Sequence, residues 1–293
     1  MDVPDEQTPR QVPPREGVSP RAVEKSLREY GRGIAGGLLF SLPLLYTMEI
    51  WEEGVLARPE ALLLYLLATF VLLLGYNRYG GFRQDVNWAE VFTDSVEELG
   101  LGLLISTVVL FLTGRITPDT SWREAVGMVA VEASIVAIGV SVGTAQLGGD
   151  DSPRREDQRN KAERVPGQLI IGFCGAVLFA SNVAPTDEIQ VIAVESSPGK
   201  LLGIALLSLV LGGLILYQLD FTRARRLTHR VKAWDMLWGT VVTYALALAS
   251  STLVLWFFGR FPETGLFVCV AEVVVLSLAG TLGASAGRLL IQS

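Results

Sequence analysis

The chain has 293 residues, half of them hydrophobic, with 30 acidic side chains against 24 Lys and Arg and a formal charge of −6. A mean hydropathy of +0.42 excludes an ordinary soluble domain, and a net negative charge without a basic domain excludes nucleic acid as a partner. What remains is an integral membrane protein.

Residues 1–30 carry Pro4, Pro9, Pro13, Pro14 and Pro20 among many charges and no apolar period. Such a composition cannot bury enough surface to order itself, and it reads as a disordered cytoplasmic tail. It has no apolar core beside a basic start, so it is not a cleavable signal peptide. Eight apolar runs follow, at roughly 33–50, 59–77, 88–113, 121–147, 167–184, 198–217, 233–258 and 264–290. A helix needs about 20 residues to cross about 30 Å of hydrocarbon. The third, fourth, seventh and eighth runs are long enough to span with tilt; the other four just span or are interrupted.

The eight runs form two sets of four. Gly33, Gly36, Phe40, Thr47, Glu49 and Pro59 recur 139 residues later as Gly172, Gly175, Phe179, Thr186, Glu188 and Pro198. Ser106, Thr107, Gly114 and Arg115 recur 145 residues later as Ser251, Thr252, Gly259 and Arg260, and Glu132 and Gly143 recur as Glu272 and Gly283. The pattern predicts an all-α polytopic protein of eight transmembrane helices. Its parts are a tail over 1–30, a four-helix repeat over 31–147, a cytoplasmic linker over 148–167 and a second four-helix repeat over 168–291.

With the N-terminus inside, only five of the 24 Lys and Arg fall on the outer side: Arg58, Arg115, Arg123, Lys200 and Arg260. That asymmetry places both termini in the cytoplasm of a multi-pass plasma-membrane protein. Four crossings per set is an even number, so the two repeats run parallel. Repeat transporters place their sites where internal repeats meet.

Carboxylates inside apolar spans are costly and mark candidate sites. Asp94, Glu97 and Glu98 stand at i, i+3 and i+4 on the third run, a spacing that gathers them toward one face of a helix. Counted from residue 88 at the helical rise, Glu98 lies roughly 15 Å deep. Glu132 and Glu272 fall at similar depth from the other side. Several oxygen ligands converging there suit a hard cation, with Asp94, Glu97 and Glu98 as its site and Glu132 and Glu272 as a proton or cation relay. Glu97, Glu98, Glu132 and Glu272 are then expected to face the bundle interior. The bland alternative is an interfacial Asp94 and paired, structural glutamates. The second set has Gly239, Val242 and Thr243 where the first has Asp94, Glu97 and Glu98, so the cluster belongs to the first set alone.

The first and fifth runs are short, glycine-rich at their start and interrupted by Pro43 and Pro185, and each ends in Thr-x-Glu-Ile. Paired broken segments of this kind point to a binding site in repeat transporters, although close helix packing through Gly33, Gly36 and Gly37 is the competing explanation. Glu49 and Glu188, near the outer ends of these runs, are either solvated vestibule residues or a cation-attracting outer mouth. Cys174 and Cys269 lie within apolar runs and read as small hydrophobes. The run Arg223, Arg225, Arg226, Arg230 and Lys232 reads as the positive-inside signal. The lone His229 has no metal-binding spacing, and nucleophile elbow and phosphate loop are both missing. The chain is not expected to be an enzyme or to carry a cofactor.

Residues 37–53, GLLFSLPLLYTMEIWEE, together with the eight-run layout, resemble a family of bacterial integral membrane proteins whose function is not established. The likeness covers about residue 30 to the C-terminus and implies an architecture without an activity. A second, shorter likeness joins Phe92, Thr93, Asp94 and Ser95 to the FSDG-type signature of endolysosomal and bacterial potassium channels, which also have parallel repeats. These readings lead to cation translocation, with proton exchange ahead of a passive cation channel and of a non-transporting scaffold or sensor. The implied partners are lipid, an inorganic cation and protons, with homo-oligomerisation left open.

Overall fold

The computed structural model describes residues 20–80, 87–146, 165–224, 233–262 and 264–292, all within or between α-helices. In chain order these are α1 (Pro20–Leu45), α2 (Met48–Leu56), α3 (Pro59–Tyr79), α4 (Trp88–Leu112), α5 (Trp122–Gln146), α6 (Val165–Ser181), α7 (Asp187–Glu195), α8 (Pro198–Ala224), α9 (Ala233–Phe257) and α10 (Leu266–Gln292). Residues 20–30, assigned to the tail by composition, are instead the first turns of α1. Pro20 is the reason: at the first helical position its missing N–H costs nothing and its fixed φ favours the helix. Residues 1–19 and most of the linker lie outside the described residues.

Six helices, α3, α4, α5, α8, α9 and α10, are long and apolar enough to cross a membrane, and a seventh crossing results if α1 and α2 count as one span. The remaining expected run, the fifth, is α6, which is apolar but only 17 residues long. At 1.5 Å per residue it covers about 25 Å, short of the full hydrocarbon thickness.

The break between α1 and α2 bends the chain by 86°. Pro43 lies in the last turn of α1, where its ring and missing N–H oppose further helix. The freed Pro43 carbonyl accepts a hydrogen bond from the Thr47 hydroxyl at 2.6 Å, and Thr47, in extended conformation, is the residue from which α2 starts. Before α7 the same residue types recur, Pro185 then Thr186, the latter again extended. Pro59 and Pro198 open α3 and α8. Both α4 and α9 end on a glycine with positive φ, Gly114 at 71° and Gly259 at 64°. There the Arg115 and Arg260 N–H groups reach back to Leu110 and Leu255, a left-handed helix stop that β-carbon-bearing residues adopt only with strain.

Two helices organise the packing. Helix α5 contacts α1, α2, α3 and α4, and α10 contacts α6, α7, α8 and α9. Residues 131–143 of α5 are all buried. Such enclosure demands small residues, because lipid supplies no hydrophobic drive and dispersion depends on close approach. A Cβ at Gly36 would collide with the Gly143 backbone, one at Gly54 with Gly127 and Met128, and one at Gly175 with Gly283. Between the two sets, α3 lies on α6, with lesser contact of α5 to α6 and α10. There the Tyr65 ring stacks on Phe257 at 3.7 Å, and the Asn182 side chain donates to the Phe40 carbonyl at 3.1 Å.

Enlarging Gly36 or Gly283 to Leu should therefore cost at least about 1–3 kcal/mol of overpacking. It would be seen as a lower thermal unfolding midpoint or a loss of monodisperse protein in detergent. Gly100→Ala, where nothing stands within 4 Å of the added methyl, should leave the midpoint unchanged or raise it.

Candidate functional site: three buried carboxylates

A polar knot joins α3, α4 and α5 in the first set. Asn77 donates to the Glu98 carboxylate at 2.7 Å and to Ser95 Oγ at 3.1 Å, while the Ser141 hydroxyl donates to Asn77 Oδ1 at 3.3 Å. All four side chains are buried. The Cys174 thiol of α6 faces the Leu72 carbonyl at 3.7 Å. Asn77 gives Glu98 a donor, and Ser141 gives Asn77 one, so the amide spends both of its functions inside the bundle. Asn77 and Ser141 were not anticipated from sequence. The available signal was a lone Asn at the end of an apolar run, where Leu216 stands 139 residues later.

The acids flanking Glu98 do not join it. Glu97 is exposed and Asp94 only partly buried. Successive helix residues point about 100° apart, so the spacing that brings Asp94 near both glutamates also turns Glu97 away from Glu98. The expectation that Glu97 faces the interior is corrected accordingly. Among the described residues no group of three or more His, Cys, Asp or Glu side chains is placed to hold a metal ion.

Glu132 lies nine residues before Ser141 on α5, about 14 Å along the axis and half a turn round. It is fully buried. One oxygen accepts the Trp51 indole N–H of α2 at 2.7 Å, and the Arg115 guanidinium sits over the Trp51 ring at 3.9 Å from its centroid, a cation–π contact. The other oxygen has no partner among the described residues. Trp51, too, was missed from sequence, because an indole at the outer end of a short span looks like an interfacial aromatic.

Glu272 on α10 is equally buried, and neither of its oxygens has a partner among the described residues. Where Trp51 would correspond, α7 carries Gln190, which is exposed. Arg260, the counterpart of Arg115, bonds elsewhere: it donates to Asp187 at 3.2 Å and to the Pro185 carbonyl. Glu49 is half-buried and Glu188 exposed. Both occupy the first turn of a short helix, where a carboxylate complements the helix dipole.

An all-α chain with six or seven candidate spans and acids buried within them is an integral membrane protein. The family model described as "Putative integral membrane protein (DUF2391)" matches residues 29–291. The chain belongs to this family. No curated protein and no solved structure matches it. The likeness of residues 92–95 to the potassium-channel signature gains no support from these comparisons. Phe92 packs edge-on to Phe70 at 5.3 Å and the Thr93 hydroxyl bonds to its own helix at Ala89.

The three glutamates differ in how far the protein satisfies them, and that difference is measurable. Trp51→Phe keeps the ring and removes the one donor to Glu132, leaving both oxygens unmet at a cost of about 1–3 kcal/mol. A lowered unfolding midpoint is expected, restored by the double variant Trp51→Phe with Glu132→Gln. An unchanged midpoint in Trp51→Phe would mean that the indole bond does not hold Glu132.

Proposed function

We propose that this family member translocates a cation across the membrane, exchanging it for protons at intramembrane carboxylates, and is not an enzyme. The observation that carries the reading is Glu272: a carboxyl group fully buried in a span, with neither oxygen hydrogen-bonded among the described residues. The Arg260 guanidinium acts on it electrostatically but is hydrogen-bonded to Asp187 and the Pro185 carbonyl, and without a direct partner an ionised carboxylate there is costly. The group is therefore neutral, holding a proton, or it holds a cation that replaces the proton. A site with those two occupancies is the element an exchanger requires. Glu132, with one free oxygen, and Glu98, bonded through Asn77, extend the series.

The architecture belonging to this reading is eight crossings in two parallel four-helix repeats, α1 to α5 and α6 to α10, with α1–α2 and α6–α7 each one broken span and both termini cytoplasmic. It is supported by equivalent contacts on equivalent residues. Gly36 meets Gly143 as Gly175 meets Gly283, the helix stops fall on Gly114 and Gly259, and α2 and α7 have the same length and the same offset. Single cysteines introduced at Ser121 and Ser152, with Cys174 and Cys269 replaced, should label from opposite sides of the membrane. Labelling from one side would overturn the topology.

Transport is tested with purified protein in liposomes containing a pH dye, challenged with potassium, sodium, calcium and manganese in turn. An ion-driven proton flux is expected, reduced at least about tenfold by Glu272→Gln, a change equivalent to about 1.4 kcal/mol at the rate-limiting step. Ion conductance without proton movement would favour the passive channel. Neither flux with any of the four ions would leave the scaffold or sensor.

A further inference from the structure

Among the described residues, the largest contact between the two halves joins unlike faces. Helix α3 of the first set lies on α6 of the second. On the two-repeat reading, the counterpart of that contact is α8 on α1, and α8 makes no comparable contact with α1 among the described residues. The counterpart face is open on α1 and partly open on α8, where Ile204 and Leu211 are half-buried. On α1, Gly31 and Ala35 are exposed and Leu42 is 51% exposed, where their equivalents Cys174 and Ser181 on α6 are buried. On α8, Leu214 is 54% exposed. A contact that joins unlike faces of like units does not close on itself in a pair, and it leaves one unused face of each kind at the two ends.

The unused faces also fit each other residue by residue. Gly75 of α3 receives Ile170 of α6; the equivalent positions are Leu214 on α8 and Gly31 on α1, so the large and small partners have changed sides and the summed volume is kept. Leu72 faces Cys174; its counterpart is Leu211 facing Ala35, again a Leu against a small residue. The Tyr65 hydroxyl lies beside Ser181; the counterpart is Ile204 with Leu42, an apolar pair in place of a polar one. Two pairs keep their complementarity after both members have changed, and the third keeps its Leu while one small residue replaces another, as an occupied contact requires. A face that met only lipid would hold its two sides independently.

We propose that a second copy of this chain occupies these faces, with α8 of one copy packed on α1 of the next, closing a ring of repeats. The smallest ring of this kind is a two-fold dimer containing four repeats. The inference rests on the two-repeat reading and is independent of which ion is carried. A dimer that moves no ion leaves it standing, and a monomer that transports refutes it while sparing the transport proposal.

Cysteine cross-linking in native membranes tests it. With Cys174→Ala and Cys269→Ser as background, chains bearing Ala35→Cys and differently tagged chains bearing Leu211→Cys are co-expressed and oxidised with copper phenanthroline. A covalent heterodimer carrying both tags is expected. Ala35→Cys paired with Leu104→Cys, on an exposed face of α4, should give at most about a tenth of that yield. Leu72→Cys with native Cys174 is the intrachain positive control. Gly31→Leu, a position with nothing within 4 Å, should lower the Ala35–Leu211 product about tenfold, or about 1.4 kcal/mol. Leu214→Gly in the partner should restore it. A yield no higher than that of the Leu104 pair, with the positive control working, means lipid or another protein covers these faces and overturns the proposal. Failure of Leu214→Gly to restore the product refutes the pairing of Leu214 with Gly31.

Discussion

Close backbone approach onto α5 and α10 is the constraint on which the rest of this structure depends. Between apolar helices in lipid there is little hydrophobic gain to be had, so the helices hold together by packing and by the few polar contacts they share. Side chains larger than hydrogen at Gly36, Gly54, Gly143, Gly175 and Gly283 would force those backbones apart. With them in contact, a run from 131 to 143 of α5 is sealed on all sides. Glu132 and Ser141 are consequently removed from lipid and from bulk water alike.

Once sealed, a polar group must find its partner within the protein or be neutral. The three buried glutamates stand at three stages of that requirement. Glu98 is tied to an amide that is itself tied to Ser95 and Ser141, a network whose members restrain one another. Among the described residues, Glu132 has the Trp51 indole on one oxygen and nothing on the other, and Glu272 has nothing on either. A change in occupancy at Glu98 would have to rearrange two further helices. At Glu272 it would disturb no hydrogen bond among the described residues.

Much of this was legible in the sequence because it depends on residue type alone. Apolar length fixes candidate spans, Pro43 and Pro185 fix the breaks, and Gly114 and Gly259 fix the helix stops, each through backbone geometry that no neighbour can override. Facing is different. Whether Glu97 points inward depends on which side of α4 meets α5, and as the residue next to Glu98 it is turned about 100° from it. The partners of the acids were hidden for the same reason: Trp51 and Glu132 are 81 residues apart and become neighbours only through the Gly54–Gly127 crossing. The start of α1 at Pro20 was hidden by composition, since prolines and charges that mark a tail in bulk also suit the first turn of a helix.

On the two-repeat reading, the positions that agree and those that differ divide by physical role. The glycine crossings, the helix stops and the buried Glu132 and Glu272 are kept in both halves, because a four-helix unit of this shape cannot be built without the first two. The differences gather around the acids: Trp51 against Gln190, Asn77 against Leu216, Glu98 against Thr243. Each of the three removes from the second half a group that satisfies, or is, a carboxylate in the first. The frame is therefore shared while its polar contents have separated. One half anchors Glu98 and Glu132 with donors, and in the other Glu272 is buried with no donor among the described residues.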